Sequence, residues 1–295
     1  MRGLAGYLAF RAMTGFVGIL PERLMRGVGR IIGWGMWRRA GDKRLVVAKH
    51  MARASGAPPA EAERLVKRMF SSYGRYWAEV FWIRPRRRDA FARNADVEGL
   101  EILHAAAKEG KGMIYALGHT GNWDAAAAKS WELGYPVVAV AEKLSNRRIR
   151  QWFLKVRAAF GIEVVLADRG SGVTRRLLEE LRSGGTVALV CDRDLGGDGI
   201  EVEFFGETTT LPAGPVALAD RTGAALLPVG CYFKKGRGHR LVVNPPIEIP
   251  QLDKLEDRIA AGTQLLAQAL EAVISQIPHQ WHLTQPNWPS DRAAI

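Results

Sequence analysis

The chain has 295 residues, 47% apolar and 24% charged, enough for one large α/β domain or two small ones with a sizeable core. Two cysteines, Cys191 and Cys231, both in apolar runs, exclude a disulfide framework and a cysteine-based zinc site. The formal net charge of +12 is confined to one end: residues 1–90 carry 19 Lys/Arg against 6 Asp/Glu, the remainder 23 against 24.

Residues 1–90 read as a basic, amphipathic helical region that docks on an anionic surface. The longest uncharged run near the start, Ala12 to Pro21, has ten residues, whereas a membrane-spanning helix needs about 20. Arg11 interrupts the opening apolar stretch and no small-residue cleavage site follows, so it is read as part of the mature chain. In residues 21–40, Leu24, Val28 and Ile31 share one helix face and Arg23, Arg26 and Arg30 a roughly opposite one, with Trp34 and Trp37 beyond. An apolar stripe, an arginine stripe and tryptophans together fit a helix lying in a membrane interface. Residues 58–82 form a further helix, started by Pro59 and an acidic first turn.

From residue 91 the rhythm changes to that of an α/β core. The runs GMIYAL, YPVVAVA, IEVVLA, TVALVC and AALLPVGCYF alternate with helical segments. Continuous apolar strands separated by helices predict a mostly parallel central sheet flanked by helices. A hairpin over PVGCYFKKGRGHRLVVNPP, a helix over 253–277 and a tail, PHQWHLTQPNWPSDRAAI, complete the chain.

In open α/β sheets ligands bind beyond the carboxyl ends of the strands. Titratable residues gather there: His119 and Asp124 in GHTGNWD, Glu142 after the second strand, and Asp192-Arg193-Asp194 after the fourth. A histidine of near-neutral pKa can take a proton from an alcohol, and a carboxylate on its other nitrogen fixes the tautomer. The H-x4-D spacing alone carries little, because His104 and Glu109 share it within a helical segment. The G-x-S-x-G turn, the P-loop and the G-x-G-x-x-G turn are absent; RGSGV at 169–173 is too short and precedes a helix. With no activated Ser or Cys nucleophile, a lone base suits direct transfer to a substrate hydroxyl.

These residues resemble the lysophospholipid and glycerolipid acyltransferase superfamily, within the branch of the lipid A lauroyl and phosphatidylinositol mannoside acyltransferases. GHTGNWD, VAEKLSN, Arg157 in FLKVRAAFGIEV, DRDL, EVEFFGETTTLPAGPVALADRTGAALLPV and WHLTQPNW carry the resemblance over about 200 residues in order. CDRDL and WHLTQPNW lean towards the mannoside enzymes, although these carry a glutamate where Asp192 stands.

The resemblance implies an O-acyltransferase that moves a fatty acyl group, such as palmitoyl, from acyl-CoA to a mannose hydroxyl of a membrane glycolipid. It implies no metal and no cofactor beyond the donor. His119 would be the general base, oriented by Asp124 or Asp192, with Arg157 or backbone amides of the turn as oxyanion donors. Glu142, Arg157, Arg193 and Asn122 would contact substrate, and His282 would stand near the acceptor. On the residues alone, Glu142 and Arg157 also suit a structural ion pair and His282 a packed core histidine. Placement on the cytoplasmic face of the plasma membrane follows from the basic helices. A lipid A precursor is the alternative acceptor. Two other classes share single features: a metal-dependent glycosyltransferase the D-x-D of 192–194, and a nucleic-acid-binding protein the basic end. The first leaves His119 idle, and the second lacks any familiar nucleic-acid module.

Overall fold

A computed structural model describes residues 2–167 and 172–292 of the chain; part of the RGSGV stretch, 169–171, lies outside them. Four helices come first: α1 (Arg2–Ile19), α2 (Glu22–Arg39), α3 (Lys43–Ser55) and α4 (Pro59–Trp82). The first three pack on α4. The short α5 (Arg88–Arg93), β1 (Ala95–Glu98) and α6 (Leu100–Lys108) lead into the alternating core. That core runs β2 (Met113–Leu117), α7 (Trp123–Glu132), β3 (Val137–Glu142), α8 (Arg147–Ala158), β4 (Ile162–Ala167), α9 (Val173–Arg182) and β5 (Thr186–Val190). A separate hairpin, β6 (Ile200–Phe204) and β7 (Glu207–Leu211), precedes α10 (Gly214–Thr222), β8 (Ala225–Phe233), β9 (His239–Val243), α11 (Leu255–Gln276) and α12 (Pro289–Arg292).

Seven strands form one sheet in the order β1-β9-β8-β2-β5-β3-β4. Every neighbouring pair is parallel except β8–β9. This is the α/β sheet flanked by helices that the apolar runs predict. The central strand β2 is buried along its whole length. One face carries Ile114, Val187, Leu177, Leu178 and Leu181 in a core that also takes in Val47 and Met51 of α3 and Val66 and Met69 of α4. Each such leucine contributes about 1.5–3 kcal/mol by its removal from water. Both cysteines are free and buried, as expected.

The buried face of α2 is Met25, Gly29 and Gly33, not the Leu24–Ile31 stripe, and Leu24, Ile31 and Trp34 are exposed. The reason is the close approach of α2 to α4: a Cβ on Gly33 would lie 2.3 Å from the Phe70 carbonyl oxygen, and one on Gly74 2.2 Å from that of Gly29. Contact between backbones at glycines replaces contact between large side chains. Among the described residues no helix is long and apolar enough to cross a membrane.

The sheet parts at one place. The β3–β5 ladder ends at Ala139↔Ala188. Beyond it β3 continues along β4 to Glu142↔Ala167, and β5 along β2 to Leu117↔Val190.

Candidate active site

Parallel register builds the site. Leu117 pairs with Val190, so two residues further along each strand His119 and Asp192 emerge side by side. Asp192 Oδ1 lies 2.6 Å from His119 Nδ1. Its Oδ2 accepts the backbone N–H of His119 at 2.9 Å and the indole N–H of Trp281 at 2.7 Å. Asp192 is fully buried. Burial works against its ionisation, but the imidazole and these N–H donors outweigh it and hold its pKa below the ordinary carboxylate value. An ionised carboxylate can only accept, so the pairing keeps the imidazole proton on Nδ1 and leaves Nε2 as the basic nitrogen. Trp123 meets the imidazole edge-on, ring centroids 5.7 Å apart.

The turn that carries His119 is clamped from three sides. Gly121 has φ +52, and a Cβ there would lie 2.1 Å from the Cys231 carbonyl oxygen. Only glycine lets the turn run so close to β8. From the tail, Gln280 O accepts Gly121 N–H at 2.9 Å, and His282 N–H donates to His119 O at 2.8 Å. Trp281 also forms an antiparallel bridge with Thr120. From α4, Glu79 accepts the Asn122 side-chain N–H at 2.7 Å.

Asp124, the nearer carboxylate in sequence, has another partner. Its Oδ1 accepts from Arg157 Nε at 2.9 Å. Burial and the Asp124 charge push up the pKa of Tyr76, which also hydrogen-bonds Arg157, and the Asp124 charge raises that of Arg157 despite burial. The pairing puts Asp124 on the first turn of α7 and Arg157 on the last turn of α8, so it ties these helices over the site. The alternative of a Glu142–Arg157 pair is replaced likewise: Glu142 accepts from Arg193 Nη2 at 3.1 Å. Arg193 Nε is buried without a hydrogen-bond partner. Asp194 is engaged with three loop amides, of Gly196, Gly197 and Gly199, and with Thr210 Oγ1. The two carboxylates of the D-x-D therefore serve separate partners.

Two residues expected to contact substrate stand behind the site. Asn122 is fully buried; its Oδ1 accepts the N–H groups of Asp124 and Ala125, capping α7. His282 is buried, stacked on Tyr73 at 5.1 Å, with Nε2 2.8 Å from Ser72 Oγ. Burial, with smaller contributions from His119 and His279, brings its pKa down to about 3. It supports His119 through its backbone N–H and is packed as a neutral core histidine. His104 of the decoy pair is exposed and bonds the Tyr135 hydroxyl at 2.9 Å.

His119, Asp124, Arg157, Glu142 and Arg193 all line one cavity of about 1050 Å³. Alternation along the strands shows that this cavity reaches both faces of the sheet: Val137, Ala139 and Ala188 line it from one face, Val140 and Leu189 from the other. It does so where β3 and β5 part. The first lobe ends among apolar side chains, Val137, Ala127 and Ile162, and the second reaches the Asp220–Arg258 ion pair. Trp281, Trp123, Tyr76 and Glu79 were not foreseen as parts of the site. The string WHLTQPNW holds Trp281, but no pattern in it names the partner of the indole.

A rigidly held imidazole–carboxylate pair with a basic Nε2 can take a proton from a hydroxyl, and it stands on the wall of a largely apolar cavity. The chain belongs to the family described as bacterial lipid A biosynthesis acyltransferase, which matches residues 4–290. It is therefore an acyltransferase by family. It is 38% identical over 291 residues to the phosphatidylinositol mannoside acyltransferase of Mycobacterium tuberculosis, covering 97% of this chain and 87% of that protein. To the phosphatidylinositol mannoside acyltransferase of Mycolicibacterium smegmatis it is 34% identical over 287 residues, 96% of this chain and 91% of the relative.

Proposed function

We propose that the protein transfers a fatty acyl group, palmitoyl in the first instance, from acyl-CoA to a mannose hydroxyl of a phosphatidylinositol mannoside. The observation that carries this reading is the His119–Asp192 pair at 2.6 Å on the wall of the apolar cavity, in a chain so similar to the mycobacterial enzymes.

The acceptor hydroxyl gives its proton to His119 Nε2 as its oxygen attacks the thioester carbonyl carbon. Asp192 stabilises the imidazolium and does not itself take the proton. Negative charge gathers on the former carbonyl oxygen. The turn amides of His119, Gly121, Asp124 and Ala125 are engaged with other acceptors. Arg193, whose side chain lines the cavity, is the candidate oxyanion donor. The intermediate collapses with cleavage of the C–S bond, and the imidazolium proton passes to the departing CoA thiolate. The ester and free CoA remain, and His119 is again neutral.

The donor's acyl chain lies in the lobe that ends at Val137 and Ile162. From Glu142 at the carboxyl edge to Val137 is five residues of strand, roughly 17 Å, close to the length of a palmitoyl chain. The protein docks at the cytoplasmic face of the plasma membrane through α1 and α2, whose exposed apolar and arginine side chains face an anionic leaflet.

The decisive experiment incubates the purified chain with labelled palmitoyl-CoA and a panel of phosphatidylinositol mannosides and lipid A precursors, with the product identified by mass spectrometry. Palmitoyl on a mannose is the expected result. Palmitoylation of the lipid A precursor alone would replace the acceptor, and transfer to neither would overturn the reading.

A further inference from the structure

Glu79 is a buried carboxylate outside the reacting pair, on the helix against which α1, α2 and α3 pack. Burying a charge is costly unless its lone pairs are met by donors. Here they are met. Oε1 accepts from Arg75 Nε at 2.8 Å, and Oε2 accepts from Asn122 Nδ2 at 2.7 Å and from His239 Nε2 at 2.8 Å. Burial opposes ionisation, yet the interactions with His239 and Arg75 prevail and bring the pKa down to about 2. Arg75 goes on to bind the carbonyls of Lys234 and Gly238 at the turn between β8 and β9.

The consequence falls on Asn122. An amide can turn either end to a neighbour, and a neutral hydrogen-bonding partner tolerates both. A carboxylate accepts only, so it admits Nδ2 and forces Oδ1 the other way. Oδ1 then meets the N–H groups of Asp124 and Ala125. Those amides open α7, whose first turn carries Trp123, edge-on to the His119 imidazole, and Asp124, the partner of Arg157. The chain of contacts runs from the N-terminal helices to both walls of the cavity.

We propose that Glu79 is a positioning residue for the transfer reaction, fixing the Asn122 cap and through it the His119 turn, so that the helical region and the reacting geometry are held as one piece. This rests on the acyltransferase reading above.

The test uses the full chain with palmitoyl-CoA and a phosphatidylinositol dimannoside. Glu79→Gln places an amide against an amide, and Asn122→Asp a carboxylate against a carboxylate. The two together exchange the groups and restore one donor and one acceptor, with His239 free to move its proton to the partnerless Nδ1. Each single substitution is expected to lower kcat about 10²-fold, the cost of a small misplacement of a reacting group, with KM for palmitoyl-CoA changed by less than about threefold. The exchange variant is expected to return to within about tenfold of the wild-type kcat. Amide hydrogen exchange over 119–125, measured on the same proteins, should quicken in the single variants and slow again in the exchange variant. Unchanged kcat in the single variants, or an exchange variant as slow as they are, overturns the proposal. If a single variant fails to fold, recovery of fold and turnover in the exchange variant decides in favour, and its absence against. If the wild-type chain transfers nothing to this acceptor, the mannoside reading falls, and the amide exchange rates alone judge the Glu79 link.

Discussion

Trp281 and Asp192 meet at 2.7 Å, indole N–H to carboxylate, 89 residues apart in sequence. That bond holds the Oδ2 of Asp192 in place while Oδ1 takes the imidazole of His119. Trp281→Phe removes the donor together with part of the buried indole. With one of the two N–H donors to Oδ2 gone, the carboxylate is held less firmly and the imidazole loses part of its fixed aim. We expect kcat to fall about tenfold, with a stability loss of about 1–2 kcal/mol for the lost charge-assisted hydrogen bond. Steady-state kinetics and urea unfolding check the two effects separately, and an unchanged kcat would show that the indole only packs.

The pair itself gives a graded expectation. His119→Ala removes the proposed base and should reduce transfer by at least about 10²-fold with the fold retained. Asp192→Asn is isosteric but offers an amide, which can donate to Nδ1 and favour the wrong tautomer, so a loss of up to about 10⁴-fold is expected. Asp124→Asn acts differently. It weakens the hold on Arg157, a partly buried guanidinium, and the expected result is a stability loss of about 3 kcal/mol. Equal kinetic losses in the two aspartate variants without a stability difference would mean that both carboxylates serve His119.

Acid should destabilise the fold through the buried carboxylates. Glu79 ionises at about 2 in the folded protein against an ordinary value of 4.5. Its folded pKa is depressed, so its contribution is fully present above about pH 4.5 and is lost as the pH falls towards 2. Asp192 and Asp291, also depressed, act in the same direction. Urea midpoints measured from pH 6 to about pH 2 should fall most steeply below pH 4.5, and Glu79→Gln should flatten that slope.

How much of this was legible in the sequence depends on distance along the chain. The strands β2, β3, β4, β5 and β8 are continuous apolar runs, and such runs announce buried parallel strands whatever their neighbours. The hairpin of β6 and β7 is less visible. Its turn, Phe205-Gly206, has positive φ at both positions (53° and 74°), which suits a tight hairpin, but a phenylalanine there gives no turn signal. His119 is legible as a residue on a strand-end turn, and its partner only as one of two carboxylates, Asp124 or, through the family resemblance, Asp192. Spacing points to Asp124, five residues on, because local sequence reveals only local neighbours. Asp192 arrives through the pairing of β2 with β5, which no periodicity encodes. The glycine face of α2 escaped for a related reason: hydrophobic periodicity marks large side chains, whereas here the packed face is the one without them.

The forked cavity makes a chain-length prediction. Ala139 lines the lobe that ends at Val137 and Ile162, about halfway down. Ala139→Phe fills that lobe, so preference should move from palmitoyl to shorter donors, by about tenfold or more in relative kcat/KM for a chain several methylenes shorter. Ala217→Phe, in the lobe under α10, should leave chain-length preference unchanged. Competition between mixed acyl-CoA donors reads both, and the opposite pattern would assign the acyl chain to the second lobe.

The proposed membrane docking rests on what α1 and α2 leave uncovered. Phe16, Ile19, Leu24, Ile31 and Trp34 are between 58% and 75% exposed, on helices whose other outward residues include Arg23 and Arg30. Water is a poor solvent for such a surface and an interface a good one: apolar rings and chains enter the acyl boundary while arginines stay with the phosphates. Each arginine near an anionic leaflet contributes about 1 kcal/mol, weakened by salt. Ile31→Ser with Trp34→Ser removes apolar surface without touching the Gly29–Gly33 contact with α4, so the fold should persist. Sedimentation with phosphatidylinositol-containing vesicles should drop about tenfold or more, while turnover of a detergent-dispersed acceptor stays near the wild-type value. Arg23→Gln with Arg30→Gln should instead weaken binding at low salt and flatten its salt dependence. Undiminished sedimentation in both double variants would move the docking surface elsewhere on the molecule.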